Sequence, residues 1–155
     1  MNLNSLLILL HVVSVVIWVG GMFFAHQCLR PVVASQLEPP QRLTLWVGVF
    51  KRFFPMVWIT IILIPITGYA LLFSVWGNMA NTPLYVHLMN GIGIIMILIF
   101  LHVFFAPFNK LKNAVEKQEW PKGAAALNQI RMLVGLNTVL GMLAIIIATA
   151  GRFYY

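Results

Sequence analysis

Four histidines, His11, His26, His87 and His102, are the residues of this chain whose type and spacing combine into recognisable chemistry. His11 and His26 lie fifteen positions apart, and so do His87 and His102. On an α-helix that interval separates two rings by roughly 22 Å along the axis and about 60° around it. Both rings of a pair therefore look toward the same half of their helix. If the two segments run parallel, His11 reaches the depth of His87, and His26 that of His102. Stacked pairs of neutral imidazoles on facing helices suit haem b, held by an axial ligand on each side. The spacing thus predicts two bis-histidine haems, His11 with His87 and His26 with His102, giving electrons a route along the bundle. An interval of fourteen would align the rings better, so fifteen demands helix rotation or tilted haems. The competing reading makes the four rings polar glue or proton-handling groups. No Cys-x-x-Cys-His occurs, which excludes covalent c-type attachment.

The elements that must position these rings are set by composition. Of 155 residues, 61% are hydrophobic and only 8% charged, and the mean hydropathy is +0.93. That leaves too little polar surface for a soluble enzyme or a disordered tail, and the lone Cys28 excludes a disulfide scaffold. No charge occurs over 1–29, 53–109 or 132–151. A bilayer crossing takes roughly 20 apolar residues. The middle block is too long for one crossing and carries a turn signal over 77–83, with Gly77 and Pro83 at its ends. The chain therefore reads as an all-α integral membrane protein, one four-helix transmembrane domain over 1–155 with spans near 3–27, 55–76, 84–107 and 131–153. The first span lacks the basic flank and small-residue cleavage site of a signal peptide, so it is expected to be a true span.

Orientation follows from the basic residues. Arg30, Arg42, Lys51 and Arg52 lie between the first two spans; Lys110, Lys112, Lys117, Lys122 and Arg131 lie between the last two; only Arg152 is on the other side. Nine against one predicts a multi-pass protein of a bacterial inner membrane with both termini periplasmic. The net charge of +7 is then a topology signal beside anionic headgroups, and no nucleic-acid partner is needed. The segment 41–54 places Leu45, Trp46, Val49, Phe50 and Phe53 on one stripe, which predicts an interfacial helix running into span two. Trp120-Pro121 predicts an early start of the last helix, and Pro65 a kink in span two.

Other residues acquire roles around the proposed haems. Gly20, Gly21, Gly91 and Gly93 would let a flat macrocycle approach the backbone, although small residues also serve helix packing. Trp18 would line the gap between the two planes or simply pack. Arg30 and Arg52 would pair with propionates of the haem beside His26. Asn90 and Asn137 would hydrogen-bond a quinone, a propionate or a neighbouring helix. The expected partners are the bilayer and a quinone or redox protein, with the chain working as a homo-oligomer or as a subunit.

The stretch His11-Val-Val-Ser-Val-Val-Ile-Trp18-Val-Gly20-Gly21, followed by Leu29-Arg30-Pro31, resembles the first helix of the copper-resistance D (CopD) family. Pro83-Leu84-Tyr85-Val86-His87 and the run from Ile130 to Asn137 are similar to its small stand-alone members. That resemblance implies copper transport or resistance. The opening from His11 to Trp18 also resembles the HemJ-type protoporphyrinogen oxidases, which implies one haem, His11 as its ligand and a haem-dependent oxidoreductase. Copper sites favour soft Met, His and Cys ligands. The loop 77–83 offers only Met79, and Met22, His26 and Cys28 would make a small Cu(I) site at the end of span one. The eight methionines otherwise read as packing.

Overall fold

Lipid offers backbone groups no hydrogen-bond partner, so a charge-poor chain that enters it must satisfy them within helices. The computed structural model describes residues 2–153 and shows that outcome. Four helices are long and apolar enough to cross a membrane: span one (Leu3–Gln36), span two (Pro39–Trp76), span three with a short continuation (Leu84–Glu116) and span four (Trp120–Gly151). Within the third, Leu84–Phe105 is followed at Ala106 by the helix Pro107–Glu116. The chain is a multi-pass, all-α membrane protein. Its basic loops lie at one end of the bundle, the basic end; the termini and the turn 77–83 lie at the other, the terminal end.

The helices outrun the uncharged blocks. Span one continues through Arg30 and Pro31 to Gln36, and span two begins at Pro39 instead of near 55. Proline suits a first helical position because its missing N–H is unpaired there anyway, and Pro39, Pro107 and Pro121 all stand at helix starts. Span two runs on through both Pro55 and Pro65. At the turn, Gly77 takes φ +76, which a side chain would disfavour, and its N–H closes the helix on the Phe73 carbonyl.

The segment 41–54 runs into span two as one continuous helix. Leu43, Trp46, Val47, Phe50, Phe54, Val57 and Ile61 are buried along one face of it, so Trp46 and Phe50 of the expected stripe face the protein core, while Leu45, Val49 and Phe53 are half-buried beside it. There it meets an aromatic cluster. Phe54 stacks on Phe50 at 5.0 Å and takes the edges of Phe100 at 5.5 Å and Phe108 at 4.8 Å. Trp58 packs edge-on against Phe100 and Phe104, and Trp18 of span one reaches Phe100 at 6.4 Å. Such pairs are worth about 0.5–1.5 kcal/mol each beyond area burial. They bind spans one, two and three together at the basic half.

Span one is not a plain α-helix. Val16–Gly20 and Ala25–Leu29 are π-helical turns, each bonding i to i+5 and so taking in one extra residue. The first lies wholly between His11 and His26. Removing one residue from the phase moves His26 from about 60° ahead of His11 to about 40° behind it.

If the aromatic cluster carries the fold, Phe54→Ala should lower the unfolding free energy of the detergent-solubilised chain by about 3 kcal/mol, through lost ring contacts and the cavity left behind. Phe73→Ala, on a ring 53% exposed to the surroundings, should change it by less than about 0.5 kcal/mol. Equal effects would contradict the assignment.

Candidate functional site

Packing divides the bundle unevenly. Span one packs chiefly on span two, and span three on span four, while the parallel spans one and three meet through long side chains, as at Trp18 and Phe100. The aromatic cluster closes spans two and three at the basic half. Toward the terminal end they part, leaving a cleft of about 280 Å³ between the stretch Ile64 to Trp76 and the stretch Tyr85 to Ile97. His11 lines this cleft from span one and Ala148 from span four; Tyr69, Trp76, Tyr85, Met89 and Asn90 add the other polar or polarisable groups.

The His11 ring is held in one tautomer. Its Nδ1 lies 2.9 Å from Thr67 Oγ1, and that hydroxyl donates its single proton to the Leu63 carbonyl at 2.6 Å. Thr67 can therefore only accept, so Nδ1 carries the hydrogen. The Ile64 carbonyl lies 3.2 Å from the same hydroxyl. Nε2 is left with its lone pair. A metal-ligating histidine is oriented in this way, by giving its other N–H to a fixed acceptor. Gly68 makes room for the arrangement: a Cβ there would come within 3.2 Å of His11 Cε1.

The other three rings are differently engaged. His87 does not line the cleft; its Nε2 donates to the Met79 carbonyl in the turn at 3.1 Å. His26 stands over Gly135 of span four, and its Nε2 accepts from Arg30 Nη1 at 3.4 Å. His102 is exposed, with Nε2 3.4 Å from the Gln129 amide nitrogen. Neither proposed histidine pair is brought together. The spans that carry them are diagonal in the bundle, and the π turns change the phase between His11 and His26.

Neither cavity of the bundle gathers two histidines on its walls. The space between the spans at the basic half is a cavity of about 200 Å³ lined by Trp18, Gly21, Met22, Phe54, Phe100 and Asn137 among others, with no histidine. The cleft at the terminal half has one histidine on its walls. Among the described residues no three of His, Cys, Asp or Glu gather to hold a metal ion. The Met22, His26 and Cys28 set is also dispersed: Met22 is buried in the core and Cys28 is exposed.

The remaining expectations divide. Trp18 is buried against the aromatic cluster. Gly21 lies directly under the Phe53 ring, so it serves packing, and Gly20 and Gly91 face open space. Gly93 and Asn90 do line the cleft. Asn137 ties span four to the Met96 carbonyl at 3.2 Å. Arg52 folds back on its own helix, toward the Gly48 carbonyl at 3.3 Å. Sequence reasoning missed Met89, two residues past His87, and Thr67, which stood in view beside Pro65 and Gly68. Only the fold shows that Thr67 meets His11.

Replacing Thr67 by valine keeps the volume and removes the acceptor. Nε2 then loses both its fixed tautomer and the basicity that the Nδ1–H donation lends it, so acylation of the His11 imidazole, read at that peptide by mass spectrometry, should slow about fivefold, as expected from losing one hydrogen bond worth about 1 kcal/mol. Thr67→Ser should restore the native rate; a valine variant indistinguishable from the native chain would show that the ring is not held.

Residues 47–150 match the family model for copper resistance protein D. The match takes in most of span two, all of span three and all but the last residue of span four, with Thr67, Met89 and Asn90, and it leaves out His11 and His26. No curated protein and no solved structure matches the chain. With the match covering more than half of its length, the chain belongs to the copper resistance protein D family.

Proposed function

We propose that this protein handles copper in the membrane, taking Cu(I) as cargo in the cleft at the terminal end. His11 Nε2 and the Met89 thioether would be its donors. The observation that carries this reading is the His11 ring, fixed by Thr67 with its Nε2 lone pair free, in a cleft that Met89 also lines. An imidazole nitrogen and a thioether are soft donors that suit Cu(I). By the bias of basic residues, this end faces away from the cytoplasm of a bacterial inner membrane.

Further thioethers extend from the cleft into the core. Met96 lies seven residues beyond Met89 on span three, roughly 10 Å deeper, and is buried. Its methyl packs at the same spot on Gly141 as Val19 of span one. Met22, one turn past Val19, lines the cavity at the basic half together with Asn137. Met89, Met96 and Met22 thus give a hydrophobic bundle three soft donors at successive depths, a route for a monovalent soft cation that water or carboxylates would not need to line.

Titration of the purified chain with Cu(I) against a competing chelator tests the site. His11→Ala and Met89→Leu should each weaken binding by about tenfold or more, and Thr67→Val by about tenfold through the ring it orients, while His102→Ala changes nothing. In proteoliposomes, Met96→Leu should slow copper flux and leave binding in the cleft unchanged. A preparation that carries haem in stoichiometric amount and no copper, seen in a reduced-minus-oxidised spectrum, would overturn the proposal.

A further inference from the structure

Of the basic residues, Lys51, Arg52, Lys110, Lys117, Lys122 and Arg152 are exposed, and Lys112 is half-buried with its Nζ over the Phe108 ring. Arg30, Arg42 and Arg131 are half-buried and gather where span one ends, span two begins and span four passes both. Arg131 lies one turn before Gly135, on which the His26 ring stands, and Arg30 donates to that same ring. Arg42 reaches back to span one, its Nη2 donating to the carbonyls of Ala34 and Leu37 at 3.0 Å each. Arg131 feels the charges of both other arginines.

Four buried N–H donors here have no acceptor: Arg42 Nε, Trp46 Nε1, and Arg131 Nε and Nη2. Trp46 follows Arg42 by one turn on the same helix. No carboxylate answers them. Among the described residues the one ion pair is Lys122–Glu119, at an exposed position, and Glu38 is exposed. Like charges drawn together with unmatched donors are costly unless an anion completes them. Several donors approaching from three helices call for a ligand with several acceptor oxygens, and the guanidinium fork matches phosphate in particular.

We infer that Arg30, Arg42 and Arg131, with the Trp46 indole, form a binding site for a phosphate-type oxyanion, supplied by an anionic phospholipid headgroup or by free phosphate. The site lies where spans one, two and four meet at the basic end, a place where basic pockets between helices take lipid headgroups. It does not depend on the copper reading.

The delipidated full-length chain in neutral detergent tests this, with native mass spectrometry and the unfolding midpoint as readouts. The probes are phosphatidylglycerol, phosphatidylcholine of the same acyl chains, and inorganic phosphate. Phosphatidylglycerol should be retained roughly tenfold more tightly than phosphatidylcholine and should raise the midpoint. Arg131→Gln and Arg30→Gln should each abolish that preference, and the double variant Lys110→Gln/Lys117→Gln should keep it. If inorganic phosphate alone raises the midpoint and phosphatidylglycerol adds nothing, the site stands with a soluble ligand. Equal retention of the two lipids with no effect of phosphate would overturn it. So would equal loss in the lysine variant, which would mark diffuse surface charge. The lipid comparison needs no substitution, so a variant that fails to fold leaves the test intact.

Discussion

The packing of Phe54 against Phe50, Phe100 and Phe108 governs how the rest of the bundle is arranged. In lipid the hydrophobic effect does not drive helices together, so close packing must do it. Rings do it at one end of this molecule. At the other end Tyr69, Trp76 and Tyr85 line the facing stretches of spans two and three together with Gly68 and Gly93, and the helices stand apart as a cleft. A ring-packed half and an open half follow from where aromatic side chains meet one another across the helices. His11 belongs to the open half and the arginine cluster to the margin of the ring-packed one.

The number and type of elements were legible because charge exclusion is a strict condition in hydrocarbon. The blocks free of Lys, Arg, Asp and Glu mark what lipid surrounds. They do not mark where helices end, since a helix costs nothing to continue into the headgroup region. Span one therefore runs past Arg30 to Gln36, and span two starts at Pro39. The stripe 41–54 is helix running into span two, as expected, with Trp46 and Phe50 turned to neighbouring helices: an apolar face looks the same in sequence whether a neighbouring helix or a membrane covers it. Trp120-Pro121 was a better guide, because proline at a helix start has a local cause.

The candidate site was half legible. Histidine in a span is a reliable pointer to something functional, and His11 is the ring that the structure leaves with a free lone pair in a cavity. What a single interval could not give is where each ring points. The fifteen-residue spacing assumes uniform helix, and the π turns at Val16–Gly20 and Ala25–Leu29 break that assumption. Nor could the interval show Thr67, 56 positions from His11, which fixes the tautomer. Met89 was hidden for a different reason. A thioether in an apolar helix reads as packing until a cavity wall and an imidazole stand beside it.

The choice between arginine and lysine separates the two uses of positive charge in this chain. Orientation in a membrane requires only charge near the ends of spans, and either residue supplies it. Four of the six exposed basic residues are lysines, whose compact charge is well hydrated. The three that converge out of reach of a carboxylate are all arginines. A buried lysine in that place would be free to lose its proton and leave a neutral amine; a guanidinium keeps its charge and offers a fork of fixed donors. Topology alone gives no reason for such a segregation. A ligand that must meet permanent charge at fixed angles does, and the unmatched N–H groups of Arg42, Trp46 and Arg131 show where its oxygens would go.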